Sequence, residues 1–138
     1  GAGYLAEALH SNTALESLKA NSNHFGGQGV RTLMEGLAEN GALLTLSVAS
    51  NRVGDVGARE IAQAIALGAA PALAELCLEA NEITAFGAQL LMGALRNEGA
   101  APSLLRFRLD RNEIGAAGAW HVAQAFSAAE VVGGPLSV

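Results

Sequence analysis

Leu73-Ala74-Glu75-Leu76-Cys77-Leu78-Glu79-Ala80-Asn81-Glu82-Ile83 is one copy of a phrase that the chain repeats four times. The other copies read Leu15-x-x-Leu18-x-Ala20-x-x-Asn23-x-Phe25-Gly26, Leu43-x-x-Leu46-x-Val48-x-x-Asn51-x-Val53-Gly54 and Leu104-x-x-Phe107-x-Leu109-x-x-Asn112-x-Ile114-Gly115. The asparagines follow one another at intervals of 28, 30 and 31 residues. Self-similarity at such a period marks a solenoid, in which each unit buries its apolar face only against its neighbours.

Each phrase opens with strand period. Residues 76 and 78 share one face and 75 and 77 the other, so the apolar pair turns inward. The strands are short, three to four residues. Each is separated from the next by a helix, which predicts a parallel sheet with right-handed crossovers. After each asparagine the pattern changes to helix period. Ala58, Ile61, Ala62 and Ile65 form one apolar stripe. Val30, Leu33, Met34 and Leu37 repeat it, as do Ala88, Leu91, Met92 and Leu95, and then Ala119, Val122, Ala123 and Phe126. The stretch from Gly1 to Leu9 is the same helix without its strand.

Small residues recur in register. Ala8, Gly36, Ala64, Ala94 and Ala125 fall where neighbouring helices approach closely. Gly29, Gly57, Gly87 and Gly118 sit where loop meets helix, either to relax the turn or to allow tight backbone packing. Asn23, Asn51, Asn81 and Asn112 have a structural job. The strand-to-helix loop has no ladder partner, and an inward Asn side chain can satisfy the loop of its own and the next repeat.

These residues resemble leucine-rich repeats of the ribonuclease-inhibitor-like subclass. The marks are the period, the phrase Leu-x-x-Leu-x-Leu-x-x-Asn-x-Ile-Gly, and a full helix such as Gly57-Ala58-x-x-Ile61-Ala62-x-Ala64-Ile65. The resemblance covers nearly all of residues 1–128. It implies an α/β solenoid: a right-handed horseshoe segment with short parallel strands on the concave side and helices on the convex side. It also implies intracellular protein binding, as in ribonuclease inhibitors, NOD-like receptors, the Ran GTPase-activating protein and tropomodulin-like actin-capping proteins. Ala20 and Val48 depart from the pattern by replacing the last leucine of Leu-x-x-Leu-x-Leu.

The array is divided into residues 1–14 (partial), 15–42, 43–72, 73–103 and 104–130, with residues 131–138 a tail or the start of a further repeat. Residues 68–71 and 99–102 lengthen two connections, where Gly ends the helix and Pro forbids its continuation; both should bulge. The chain opens inside a repeat and shows no polar cap at either end, which reads as a fragment of a longer array.

Composition narrows the function. Apolar residues make up 51% of the 138, charged residues 15% and aromatics 4%, so aliphatic layers fill the core. The net charge of −5 argues against a nucleic-acid backbone as partner. No apolar run approaches the roughly 18 residues that span a bilayer, so no membrane is expected. The single cysteine excludes an internal disulfide, and no Asn-x-Ser/Thr acceptor is present, which together read as cytoplasmic.

The outward strand positions are free of the core and carry the candidate site. In order they are Ser17, Lys19 and Asn21; Thr45, Ser47 and Ala49; Glu75, Cys77 and Glu79; Arg106, Arg108 and Asp110, with Arg111 and Glu82 beside them. The first two copies are small and polar, the last two charged. The candidate partner-binding residues are Lys19, Glu75, Cys77, Glu79, Arg106, Arg108, Asp110 and Arg111, with Cys77 on the exposed face. The plain alternative is a solvated lattice of ion pairs.

Chemistry finds no footing. Cys77 lacks a nearby base, since His10, His24 and His121 fall on other repeats or the outer surface. The same histidines have no metal-site spacing. Gly26-Gly27-Gln28-Gly29 lacks the Lys-Ser/Thr of a phosphate loop. The expectation is therefore a non-enzymatic scaffold with no cofactor, no metal and no small-molecule substrate, whose partner is another protein. Two alternatives stand beside it: a small-GTPase activator, for which Arg52 is the one arginine just past a strand turn, and the sensor segment of a NOD-like receptor. Trp120 faces outward by its column, either as a contact anchor or, the favoured reading, covered by the tail through Val131, Val132 or Leu136.

Overall fold

The computed structural model describes residues 1–96 and 103–126, with the side chains of 124–126 outside the description. Nine elements alternate: α1 (Ala2–Ser11), β1 (Ser17–Lys19), α2 (Gly26–Gly36), β2 (Thr45–Ser47), α3 (Gly54–Ala66), β3 (Glu75–Cys77), α4 (Ala85–Leu95), β4 (Arg106–Arg108) and α5 (Gly115–Phe126). The strands form one parallel sheet in sequence order, β1-β2-β3-β4. The register follows the phrase, pairing Leu18 with Leu46, Leu46 with Leu76, and Leu76 with Phe107. Each strand has three residues, and each helix packs on the next along the stack.

The core lies between sheet and helices. Leu46, Leu76 and Phe107 turn inward and are buried, and the helix stripes meet them from the other side. Val30, Leu33, Met34 and Leu37 are all buried, as are Ala58, Ile61, Ala62 and Ile65. In α4, Ala88, Leu91 and Met92 are buried and Leu95 is partly so. In α5, Val122 is buried while Ala123 is exposed. The first layer is open. Leu15 is 37% exposed and Leu18 only half-buried, since no strand among the described residues pairs with the outer edge of β1.

The loop glycines serve packing. A methyl on Gly29 would stand 2.8 Å from Phe25 Cβ, and one on Gly118 would run into the Ile114 side chain and lie 3.2 Å from Ala85 Cα. Gly57 and Gly87 are crowded in the same way by Val53 and by Asp55 and Ile83. A methyl on Gly36 would meet the backbone of Ala6, 2.6 Å from its Cα, so α1 and α2 touch there. Elsewhere that small-residue column is looser: Ala94 is buried, Ala64 half-buried and Ala8 exposed, and Ala125 lies outside the described side chains.

The asparagine ladder exists, but each rung reaches backward, not forward as the sequence suggested. Asn51 Oδ1 accepts from the backbone N–H of Asn23 (2.9 Å) and Phe25 (3.3 Å) in the preceding repeat. Asn81 Oδ1 accepts from Asn51 N–H (2.8 Å) and Asn112 Oδ1 from those of Asn81 (2.8 Å) and Ile83 (3.0 Å). The amide ends donate to strand carbonyls, as Asn51 does to Ala20 and Val48, both at 2.9 Å. Each of these Asn side chains therefore ties its own strand end to the loop of the repeat before it. Asn23 donates to Asn21 O, accepts from no backbone N–H among the described residues, and stays exposed.

A second asparagine column, not read from the sequence, lies behind the helices. Asn40 is buried and donates to Leu9 O (2.8 Å) and Asn12 O (3.2 Å) while accepting from Ala42 and Leu43 N–H. Asn12 caps its own turn in the same manner. In the next repeat the backbone N–H of Ala70 donates to Leu37 O at 3.0 Å and takes over that role. The lengthened connection at 68–71 therefore does not simply bulge. Gly68 and Pro71 face water, but Ala69 and Ala70 are buried, because the extra residues supply the bond that an Asn supplies elsewhere. The connection at 99–102 and the tail at 131–138 lie outside the described residues.

Candidate functional site

The outward strand residues make three rows across the sheet. The register gives Ser17-Thr45-Glu75-Arg106 and Lys19-Ser47-Cys77-Arg108, and the positions just beyond the strands give Asn21, Ala49, Glu79 and Asp110. They alternate with the buried Leu and Phe positions, so core packing fixes their direction. Ser47 is itself covered: its hydroxyl donates to Asn21 Oδ1 at 2.7 Å, and Ala49 N–H donates to the same oxygen at 2.9 Å.

The last two strands gather the charge. Arg106 reaches Glu75 at 4.0 Å, while Arg108 spans Glu79 at 3.4 Å and Asp110 at 3.9 Å. The two signs sit at different depths. The side chains of Arg106 and Arg108 are 57% and 53% exposed, those of Glu79 and Asp110 only 12% and 24%. Glu79 Oε2 and Asp110 Oδ1 are buried and have no hydrogen-bond partner among the described residues. The acids hold a platform and the guanidiniums stand on it. The arginine ends of these pairs are in water, where screening keeps each contact weak. Their planar donors remain open to an acceptor from outside.

The structure brings Glu75, Glu79, Arg106, Arg108 and Asp110 together. Arg111 follows in the turn after β4, exposed and in left-handed backbone with φ of 56°. Lys19 is exposed on β1 but separated from the cluster by Ser47 and Cys77 in its row. Cys77 corrects the sequence reading: it lies on the sheet face but is buried, 6% exposed. Its thiol donates to Glu75 Oε1 at 3.5 Å. Burial, then the negative charge of Glu79 and the bond to Glu75, push its pKa up to about 12. Strand alternation shows which way Cys77 points but not that it is covered.

Another functional-looking cluster proves structural, and the sequence did not show it. Repeat three has Thr84 where the others have Gly26, Gly54 and Gly115 at φ of 63–66°. Thr84 is extended instead and caps α4, accepting from Phe86 N–H at 3.3 Å. Asp55, from the first turn of α3, accepts from Thr84 N–H (2.8 Å), Thr84 Oγ1 (2.5 Å) and Gly87 N–H (3.1 Å). An acid of one repeat thus caps the helix of the next. Among the described residues no three of His, Cys, Asp and Glu are placed to hold a metal ion. No helix among them is long and apolar enough to cross a membrane.

A family model described as Leucine Rich repeat matches residues 42–62, which run from the second phrase into α3. With the parallel strands, the alternating helices and the asparagine ladder, the match places a leucine-rich repeat within a solenoid of the leucine-rich-repeat type, and the full helix in each unit is consistent with the ribonuclease-inhibitor-like subclass. Among solved structures it is similar to leiomodin-1 actin-binding site 2, at 19% identity over 89% of this chain and 70% of that one, with a TM-score of 0.78. It is also similar to the tropomodulin C-terminal domain of Caenorhabditis elegans, at 17% identity over 91% of both chains, with a TM-score of 0.67. At these identities the likeness is one of fold. No curated protein matches the chain in sequence.

Proposed function

We propose that the chain is a non-enzymatic protein-binding scaffold that docks its partner on the open sheet face, with Arg106 and Arg108 as the principal contacts. The observation that carries this is the separation of depth: two arginines stand half-exposed above carboxylates that are nearly sunk. Glu75, Glu79 and Asp110 hold the guanidiniums in place, so little side-chain freedom is lost on docking. Arg111 extends the donor surface, Lys19 lies at its far margin, and Cys77 supports the platform from beneath. A preformed sheet of this kind binds without folding of its own.

Actin is the first partner to test, because a structural neighbour is described as an actin-binding site. The experiment measures affinity for monomeric and filamentous actin, and for any partner captured by the chain, with Arg106→Ala/Arg108→Ala beside Arg59→Ala on the helical side. The account expects the double variant to weaken binding at least about tenfold, the range of a hot-spot pair, and Arg59→Ala to leave it unchanged. Equal affinity for all three proteins would remove the proposed surface.

A further inference from the structure

The helical side changes character along the stack. Between α2 and α3 it carries ion pairs: Arg31 meets Glu35 at 3.2 Å and Glu60 at 4.0 Å, and the cleft there is small, about 250 Å³. Between α4 and α5 the same columns are rewritten. The column of Glu35 and Gln63 becomes Gly93, that of Thr32 and Glu60 becomes Leu90, and that of Arg31 and Arg59 ends in Trp120. A groove of about 520 Å³ results. Phe86 and Trp120 rise from its walls at 61% and 60% exposure. A Cβ at Gly93 would meet nothing within 4 Å, so the floor is open because a side chain is absent, not because the backbone needs the space.

Its charge is also unlike that of the chain. The protein carries −5 overall, yet among the described residues the groove is lined by no carboxylate and by two basic side chains, Arg96 and His121. His121 meets the Trp120 ring edge-on, with centroids 5.3 Å apart. The groove lies between two helices whose backbones are already bonded, so it offers a ligand no ladder. A ligand must satisfy its own peptide groups, which an α-helix does.

We infer that the groove between α4 and α5 is a docking site for an amphipathic helix of a partner protein, one with an aliphatic ridge flanked by Asp or Glu. The ridge fills the space over Gly93 between Phe86 and Trp120, and the acidic flank meets Arg96. The site is independent of the sheet face.

Trp120 is the single tryptophan of the chain, so its emission reports the groove directly. The full chain is titrated with a synthetic helical peptide bearing a leucine ridge and glutamate flanks, and with a counterpart whose flanks are lysine. The expected result is a saturable blue shift with the acidic peptide and affinity at least about tenfold weaker for the basic one. Gly93→Glu, which restores the side chain that Glu35 has in its column, should weaken the acidic peptide about tenfold with unchanged circular dichroism, and Arg96→Glu should reverse the preference. Arg106→Ala/Arg108→Ala should leave all of this unaltered, which separates failure here from failure of the sheet-face proposal. The inference is overturned by the absence of a saturable shift, by equal binding of both peptides, or by insensitivity to Gly93→Glu. A blue shift that grows with protein concentration alone, with a doubled mass in sedimentation, would assign the groove to a second copy and overturn it as well.

Discussion

Single residues do unequal work although the phrase repeats them identically. Asn81 is fully buried and bonds the repeat before it, whereas Asn23 is exposed and bonds only Asn21 O. Truncating a buried amide orphans the backbone donors it served, at about 1–3 kcal/mol for each group left unpaired. Asn81→Ala should therefore lower the urea-unfolding free energy by about 3 kcal/mol, and Asn23→Ala by about 0.5 kcal/mol or less. Equal effects would show that the ladder does not carry stability. Cys77 gives a second test. Its thiol pKa is raised to about 12 from a usual value near 9, so the folded state disfavours the thiolate. The stabilising difference is complete below pH 9 and is lost as pH rises toward 12. Relative to Cys77→Ala, the wild-type chain should lose stability across that window. At pH 8 its thiol should react with an aromatic disulfide at least about a hundredfold more slowly folded than in urea.

At the scale of elements, the joints between repeats set both what was readable and what was not. Strand alternation and the helix stripes were legible because burial on one face imposes a period, and Leu46, Ile61, Leu76 and Leu91 are buried as that period requires. The candidate site was legible in its direction, since outward strand positions cannot join the core. It was not legible in its depth. Whether Cys77 is open or covered depends on how the long side chains of Glu75, Glu79 and Arg108 lean, and one sequence does not encode that in any spacing. The backward reach of the asparagines and the Asp55 cap were also hidden, because they are contacts across about thirty residues with no motif of their own. That cap makes a prediction at this scale. Asp55 joins α3 to the start of α4 through three bonds. Asp55→Ala should destabilise the chain by about 1–2 kcal/mol. Amide exchange at Phe86 and Gly87 should accelerate more than at the start of α2. Uniform acceleration would mean that the cap is not local.

As a whole molecule, the chain is a stack in which each layer is stabilised by its neighbours, and its two faces differ. The sheet face gathers charge in its last two strands, and among the described residues the groove between the last two helices is lined by no carboxylate. Among the described residues β1 is paired along one edge only, and Leu15 and Leu18 are partly open to water. Hydrogen exchange should therefore be fastest in α1 and β1 and slowest in β2 and β3, as nearest-neighbour stacking requires. Protection that is even along the stack would contradict this. The proposed seat of a protein partner is the open sheet face. A photo-reactive cross-linker placed at Thr45, in register with Glu75 and Arg106, tests it beside one placed at Arg59 on the helical side. The account predicts a cross-link to the sheet-face partner from position 45 and none to that partner from position 59. The reverse pattern would contradict it.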